Sequence, residues 1–327
     1  MPTLLTIGGT RFIGRHTVAE FADAGYDVTT FSRGQSENPF ADDDRVSSET
    51  GDRNDREALE AARDAVDPDI VVDFCGMFPR QVEIATEVFE DAEAYVFVSS
   101  GSAYADDDVP MREGETRLHP CSPEQAEDES WETYGPRKAE CDRRVFAAAE
   151  RGVNAMSVRP MLVYGPHDYT ERTDYWLHRV ATYNRVLVPG DGDSLLHRAY
   201  VTDVARALRL VAEDGEPGES YNVADRNAVT LDRWLELAAT SLGTEVELVH
   251  VSERELTAYD LSPGDFPLYT ASPMLAATGK LAALGWDSTP LQTAYAETAT
   301  DHRNSDRDGT ENGPFREQEE RILDALT

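Results

Sequence analysis

Short apolar runs alternate with amphipathic stretches through the first half of this 327-residue chain. The runs have the length and composition of buried strands, and the stretches between them carry apolar residues three and four positions apart, as surface helices do. The predicted strands are 3–7, 28–31, 70–74, 95–98 and 153–158, with a weaker one before residue 51, and the predicted helices lie near 15–24, 55–65, 80–91 and 134–150.

This alternation of nearly continuous apolar strands with helices predicts an α/β fold of the Rossmann type, with a doubly wound parallel sheet covered on both faces. Such sheets bind ligands beyond the carboxyl ends of their strands. The pattern loosens after residue 160. We therefore predict a nucleotide-binding domain over 1–160 and a smaller C-terminal substrate lobe over 161–300, partly interleaved with the sheet. We also predict an acidic tail over 301–327, with a disordered first half and a terminal helix.

A glycine-rich turn follows the first strand and leads into a helix. Gly8 permits the tight turn, Gly14 lets the helix pack closely on the sheet, and the backbone N–H groups between them are suited to a pyrophosphate. The turn has a purely structural role in some proteins, but its position between a strand and a helix favours a dinucleotide. The predicted cofactor residues of this turn are Gly8, Thr10, Arg11, Phe12, Ile13 and Gly14.

The second strand ends in Ser32 and Arg33, without the acidic residue that would bind a ribose 2′-hydroxyl. Arg11 and Arg33 are suited to a 2′-phosphate, which favours NADP over NAD; the alternative is that both are solvated surface arginines. Asp52 follows the weak third strand and is either an adenine contact or part of an ordinary Gly-Asp turn. Residues just after the later strands complete the predicted cofactor site, namely Cys75, Gly76 and Ser99.

Tyr134 and Lys138 lie one helical turn apart on the same face of a predicted helix. The ammonium favours the phenolate form of the tyrosine, so the phenol can take or give a proton while a hydride moves. Lys138 and Lys280 are the only lysines in the chain. A chain that uses arginine almost everywhere else retains a compact ammonium at this position, which supports a specific role.

The charge of the chain is strongly acidic, with 63 Asp and Glu against 30 Lys and Arg and a formal net charge of −33. This balance argues against a nucleic-acid or membrane partner and is typical of an extreme halophile. Three cysteines do not make a disulfide framework, and no histidine pair has metal-ligand spacing, so no metal site is expected. No apolar run is long enough to span a membrane, and we expect a cytoplasmic protein.

Six motifs together resemble the extended short-chain dehydrogenases/reductases, the NAD-dependent epimerase/dehydratase group. In order along the chain they are GGTRFIG, SSGSAY, YGPRK, VRPMLVYGP, YVTDVA and YNVAD. The resemblance implies Tyr134 as catalytic base, Lys138 as its partner and ribose ligand, and Ser100 as the hydroxyl on the reacting oxygen. It also implies that Pro160 and Leu162 lie beside the nicotinamide.

Two departures refine this resemblance. Arg11 replaces the middle glycine, and Cys141 follows the lysine, as in an atypical branch of the family that includes chloroplast RNA-binding proteins. Gly101 and Ser102 stand where sugar dehydratases carry an Asp-Glu pair, which disfavours dehydration.

The leading hypothesis is an NAD(P)-dependent epimerase or oxidoreductase that acts on a sugar or sugar nucleotide. Arg159 and Arg198 are candidate ligands of the substrate phosphates, with a structural ion pair as the alternative for each. The second hypothesis is a non-catalytic dinucleotide- or RNA-binding protein, although no basic stripe with stacking aromatics is visible. The family habit implies a homodimer.

Overall fold

A computed structural model describes residues 1–35 and 37–326. The strands are β1 (Thr3–Ile7), β2 (Asp27–Ser32), β3 (Val46–Thr50), β4 (Ile70–Asp73), β5 (Ala94–Val98), β6 (Ala155–Pro160), β7 (Leu162–Tyr164), β8 (Arg185–Pro189), β9 (Arg198–Tyr200), β10 (Ser220–Val223) and β11 (Glu247–Val251). The helices are α1 (Phe12–Asp23), α2 (Arg56–Val66), α3 (Pro79–Val88), α4 (Tyr134–Glu150), α5 (Arg172–Thr182), α6 (Val201–Asp214), α7 (Leu231–Leu242), α8 (Glu253–Thr257), α9 (Gly279–Ala283), α10 (Leu291–Arg303) and α11 (Arg316–Ala325).

Seven of these strands form one parallel sheet in the order β10-β6-β5-β4-β1-β2-β3. The strand order reverses between β1 and β4, and the register aligns Ile7 with both Phe31 and Asp73. The carboxyl ends of the central strands therefore meet at one edge of the sheet, where a doubly wound fold binds its ligand. The predicted Rossmann-type α/β fold is confirmed.

Burial explains which strands were easy to recognise in the sequence. Every residue of β4, β5 and β6 is buried, as expected for central strands covered by helices on both faces. The edge strand β3 has one intermediate and four exposed positions. It therefore lacks an apolar run, which is why the third strand is weak in the sequence.

The chain divides into two compact units that are not contiguous in sequence. The first contains the seven-stranded sheet, and the second contains β8, β9 and β11. Later segments of the chain return to the first unit and supply the edge strand β10. The first unit comprises 1–163, 201–224 and 276–288, and the second comprises 164–200, 225–275 and 289–327.

The acidic tail is packed into the second unit, contrary to the predicted disorder of its first half. Asp174 accepts a hydrogen bond from His302 Nδ1 at 2.7 Å and lies 3.2 Å from Arg307 Nε. The predicted terminal helix is α11, whose Glu319 is buried beside Arg179 at 3.2 Å. These charges are compensated by residues far away in the sequence. The polar composition of the tail does not reveal such pairings. Within the described residues, no helix has the length and apolarity to cross a membrane.

Candidate functional site

The turn after β1 depends on glycine at three positions. Gly8 and Gly9 have φ angles of +95° and +114°, which L side chains rarely adopt. The Gly8 N–H donates to the Phe31 carbonyl at 2.8 Å, which fixes the turn against β2. A Cβ atom at Gly14 would lie 2.5 Å from the Gly9 Cα, so α1 starts directly on this turn.

The start of α1 is electrostatically suited to an anion. Arg11 occupies the N-cap position with extended backbone, and its side chain has no acceptor for the first helical N–H groups. The first turn of α1 contains no carboxylate of its own that would offset the positive end of the helix dipole. Together with the glycine geometry, this arrangement fits a pyrophosphate. Three other predicted contacts, Thr10, Phe12 and Ile13, belong to the same turn.

Lys138 is held in the interior at the carboxyl edge of the sheet. Its side chain is 2% exposed, and its ammonium donates to the carbonyls of Val98 at 2.8 Å and Gly76 at 3.0 Å. The Nζ atom also lies 4.3 Å from the centre of the Phe97 ring. An ammonium has three N–H groups, and these two carbonyls use two of them. The chain therefore fixes the lysine beyond β4 and β5 and leaves one donor for a further acceptor.

A buried ion pair supports the loop that contains Gly76. Arg53 Nη1 lies 2.7 and 2.9 Å from the two carboxylate oxygens of Asp73, and its Nη2 donates to the Gln81 carbonyl. Asp73 also accepts hydrogen bonds from the Cys75 N–H at 2.9 Å and the Tyr95 hydroxyl at 2.7 Å. Burial raises the pKa of Tyr95 well above its ordinary value, so the phenol stays a donor to the carboxylate.

Sequence reasoning missed this pair, although one signal was present. Asp73 is the only charged residue in the apolar run 70–74, and a buried carboxylate requires a partner. Its partner Arg53 lies next to Asp52, for which the sequence leaves an adenine contact and an ordinary turn as alternatives. The Asp52 carboxylate instead accepts hydrogen bonds from the backbone N–H and the side chain of Asn54. This geometry is the ordinary turn that the sequence left open.

Two further glycines bring the segments of the predicted catalytic residues together. A Cβ atom at Gly135 would lie 2.5 Å from the Ser102 carbonyl oxygen, and one at Gly101 would lie 2.5 Å from the Met161 sulfur. The first contact seats the start of α4 against the 3₁₀ turn Gly101–Ala103. The second contact seats that turn against the end of β6. Glycine is needed at both places because the backbones approach each other closely.

The predicted catalytic residues lie on these touching segments. Tyr134 is the first residue of α4 and is half-buried, and Ser100 precedes the 3₁₀ turn. The Ser100 hydroxyl accepts a hydrogen bond from the Ser102 N–H at 3.1 Å. Pro160, at the end of β6, is buried, and Leu162 begins β7. The structure thus brings the segments of Ser100, Tyr134 and Pro160 into contact.

Two predicted cofactor contacts border the glycine turn and the buried lysine. The Ser99 hydroxyl is buried and has no hydrogen-bond partner among the described residues. An unpaired buried hydroxyl is costly, so this oxygen is a candidate ligand contact. A Cβ at Gly8 would lie 2.7 Å from the Cys75 sulfur. The exposed Cys75 therefore lines the turn.

The predicted ribose contacts lie at the carboxyl end of β2. Arg33 is exposed, and it makes no ion pair with any residue in 1–35 or 37–326. The Ser32 hydroxyl accepts a hydrogen bond from the Gly34 N–H at 3.3 Å. Arg11 is exposed at the start of α1.

The two candidate phosphate ligands differ in their surroundings. Arg159 is 2% exposed; its Nε lies 2.7 Å from Asp142 Oδ2, and its Nη1 donates to the Tyr104 hydroxyl at 3.0 Å. These contacts correspond to the structural alternative, because both ends of the guanidinium are already engaged. Arg198, in the second unit, is 3% exposed and stacks on Trp234. Its Nε and Nη2 have no hydrogen-bond partner within 1–35 and 37–326, and desolvation lowers the pKa of this guanidinium.

Comparison with known proteins assigns the class of this chain. The sequence model of the NAD dependent epimerase/dehydratase family matches residues 4–224, and the chain belongs to this family. A curated relative, the chloroplast stem-loop binding protein of 41 kDa b from Arabidopsis thaliana, is 28% identical over 265 residues. That alignment covers 77% of this chain and 66% of the relative, so the chain spans just under two thirds of the relative's length.

Solved structures share the fold. The dTDP-glucose 4,6-dehydratase of Bacillus anthracis in complex with NAD superposes with a TM-score of 0.73 at 20% identity, covering 94% of this chain and 98% of the other. The UDP-glucose 4-epimerase of Thermotoga maritima with UDP-glucose gives a TM-score of 0.71 at 20% identity, covering 92% and 99%.

Proposed function

We propose that this protein is an NAD(P)-dependent epimerase or oxidoreductase of the short-chain dehydrogenase/reductase type that acts on a sugar nucleotide. The observation that carries the proposal is Lys138, a buried ammonium fixed by two backbone carbonyls with one N–H remaining. A lysine used only for solubility would extend into solvent, and desolvating one is costly without a purpose. The glycine turn and the unpartnered Ser99 hydroxyl fit a dinucleotide beside it.

Each residue of the candidate site has a distinct part in the proposal. The start of α1 and the Gly8–Gly9 turn bind the pyrophosphate, and the third N–H of Lys138 binds a ribose hydroxyl. Tyr134 accepts the proton of the reacting sugar hydroxyl, and Ser100 hydrogen-bonds the same oxygen. When bound, the nicotinamide supplies the acceptor or donor of a hydride. Gly101 and Ser102 offer no acid-base pair for loss of water, which disfavours dehydration.

We propose NADP as the preferred cofactor. Arg33 is exposed directly after β2, and that strand ends without a carboxylate that would repel a 2′-phosphate. Calorimetric titration with NADPH and NADH tests this preference. Tighter binding of NADPH that is lost in Arg33→Ala supports it, and equal affinities, or a preference for NADH, overturn it.

The catalytic assignment is tested by turnover. Wild-type protein and Tyr134→Phe are incubated with UDP-hexoses and either cofactor, and nucleotide-sugar products and reduced cofactor are measured. We expect turnover by the wild type and a loss of about 100-fold or more in Tyr134→Phe, with cofactor affinity retained. Equal performance of the two proteins on every substrate that binds would contradict the role of Tyr134.

A non-catalytic binding protein is the second candidate, because the curated relative is named for stem-loop binding. Nucleic acid binding requires a basic surface, whereas much of the arginine in this chain is paired with carboxylates, as in Arg45–Asp23 and Arg209–Glu20. Filter retention of a stem-loop RNA across a salt series separates the candidates. Tight RNA binding at molar salt, with no turnover of any UDP-hexose, would favour the second.

A further inference from the structure

Trp131 is exposed in a protein that otherwise buries its tryptophans. Its exposed fraction is 79%, whereas Trp176 and Trp234 are fully buried and Trp286 is 3% exposed. An indole ring is the largest apolar side chain, and leaving it in water forgoes the gain of burying it. An exposed tryptophan beside a candidate active site therefore calls for an explanation in terms of what covers it.

The segment around Trp131 is held in place rather than left loose. Trp131 begins a 3₁₀ turn, Trp131–Thr133, that leads directly into α4. The Thr133 hydroxyl contacts the Asp128 and Ser130 carbonyls at 3.0 and 3.1 Å. The buried Arg137 donates to the Ser130 carbonyl at 3.0 Å. The indole is thus presented from a fixed backbone, as a binding surface requires.

The indole lies next to the proposed base. The ring centroids of Trp131 and Tyr134 are 5.4 Å apart, with the planes tilted by 57°. A substrate whose hydroxyl meets the Tyr134 phenol therefore has its neighbouring atoms within reach of the indole. The Gly135 contact with Ser102 fixes the start of the same helix.

The charges around Trp131 select which part of a sugar nucleotide it meets. Asp128, Glu129 and Glu132 are exposed and lie within three residues of it in the sequence. Arg137, a cation that contacts the same segment, is buried and donates to the Met77 and Ser130 carbonyls. Carboxylates repel a diphosphate but accept hydrogen bonds from sugar hydroxyls. An aromatic face flanked by carboxylates suits a pyranose ring, whose C–H face is apolar and whose edge carries hydroxyls.

We infer that Trp131 is the platform on which the hexose ring of the substrate stacks, and that the site prefers an uncharged hexose over a hexuronate. This inference rests on the proposed function. It adds a specificity-determining residue and a substrate class to it. The same carboxylates that accept hydroxyl hydrogen bonds would repel the carboxylate of a uronic acid.

Quenching of tryptophan fluorescence tests the contact without requiring turnover. Acrylamide, a neutral quencher, should reach Trp131 and not the three buried indoles, so Trp131→Phe should remove the accessible fraction. We expect saturating UDP-glucose to protect Trp131 from acrylamide and UDP alone to leave it accessible. Accessibility that stays unchanged while calorimetry shows UDP-glucose to be bound would overturn the inference.

Steady-state kinetics test the energetic role. Trp131→Ala should raise KM for UDP-glucose about tenfold with kcat little changed, since stacking is made in ground state and transition state alike. The affinity of Trp131→Ala for UDP should equal that of the wild type. Trp131→Phe, which retains an aromatic ring, should have a KM for UDP-glucose close to the wild-type value. UDP-glucuronate should bind the wild type more weakly than UDP-glucose. Phe315→Ala, which removes an exposed aromatic of the other unit, serves as the control.

The outcomes separate the two proposals. Turnover of UDP-glucose with an unchanged KM in Trp131→Ala, or equal binding of UDP-glucuronate, overturns the inference and leaves the proposed function standing. Failure of the wild type to bind any UDP-hexose overturns both.

Discussion

Arg53 and Asp73 form a buried ion pair at the carboxyl edge of the sheet, with one guanidinium nitrogen 2.7 and 2.9 Å from the two carboxylate oxygens. The Asp73 carboxylate also accepts a hydrogen bond from the Cys75 N–H. The carbonyl of the next residue, Gly76, accepts a hydrogen bond from the Lys138 ammonium. The pair thus supports the loop that holds the candidate catalytic lysine. Both carboxylate oxygens of Asp73 and both Nη atoms of Arg53 make hydrogen bonds, which offset part of the cost of burying the two charges.

Breaking this pair should be strongly destabilising. Asp73→Ala leaves Arg53 charged and without a counter-ion in the interior, and we expect the free energy of unfolding to fall by about 3–5 kcal/mol in urea denaturation. Asp23→Ala removes a partner from the exposed Arg45 and should change stability little. Similar effects of the two substitutions would show that burial of the Arg53–Asp73 pair has no energetic consequence.

Replacement of the buried lysine should abolish activity while the other lysine tolerates the same change. The Lys138 ammonium fits between two carbonyls and the Phe97 ring, and a planar guanidinium is too large for that position. Lys138→Arg should lower kcat about 100-fold or more in the UDP-hexose assay. Lys280→Arg is the matched control, since Lys280 is partly exposed beside Glu219. Retention of activity in Lys138→Arg would contradict the proposed role.

Gly135→Ala should reveal the close approach of α4 to the 3₁₀ turn. Alanine favours a helix over glycine by about 1 kcal/mol, so an unobstructed site would be stabilised. The added Cβ would lie 2.5 Å from the Ser102 carbonyl oxygen, and we expect destabilisation together with a lower kcat.

The matched control is Gly279→Ala, at the start of α9, where nothing lies within 4 Å of the added Cβ. This variant should be neutral or slightly stabilised in thermal unfolding. A gain of stability in Gly135→Ala as well would show that the contact with Ser102 does not constrain the site.

Acidification should destabilise the protein through His197. Burial lowers the pKa of this imidazole, whose Nε2 donates to the Asp225 carbonyl at 2.6 Å. Because the folded pKa lies below the unfolded value of about 6.5, the folded state binds fewer protons, and stability falls as pH drops below that value.

Urea denaturation of wild type and His197→Asn at several pH values, in molar salt to screen the net charge, measures this contribution. The stability difference between the two proteins should narrow as pH falls below about 6.5. A difference that is constant with pH would show that His197 does not titrate on unfolding.

Salt should stabilise the fold. The net charge of −33 is spread along the chain, and raising NaCl from about 0.1 M to about 1 M shortens the Debye length from about 10 Å to about 3 Å. We expect Tm to rise over this interval, and equally with KCl, if screening of self-repulsion is the cause. A Tm that is independent of salt would contradict the halophilic interpretation of the composition.

Local sequence signals were sufficient for the glycine turn and for the strands of the sheet other than β10. The 134–150 helix has the predicted bounds, because its apolar spacing and its flanking segments agree. The turn at Gly8 could be predicted because glycine is the residue that readily adopts the positive φ angles found there. Both features depend on residues that are close in sequence, which is where pattern-based reasoning works.

The role of Arg159 and the order of the tail depend on contacts between residues far apart in the sequence, and these could not be predicted. An arginine that could bind a phosphate and one that neutralises a buried carboxylate look alike in a sequence, and Arg159 with Asp142 belongs to the second kind. The polar and acidic composition of the tail predicts partial disorder, because composition does not show which distant residues pair with its charges. They are compensated by Asp174 and Arg179, more than 100 positions away along the chain.

The interleaving of the two units constrains how the chain is made on the ribosome. Strand β10 closes one edge of the sheet, but it is synthesised only after 164–200, the first segment of the other unit. A fragment that ends at residue 163 lacks that strand and helix α6, and it exposes β6 as an open edge. The nascent sheet therefore stays incomplete until part of the second unit has emerged, so neither unit can be obtained by a single truncation of the gene.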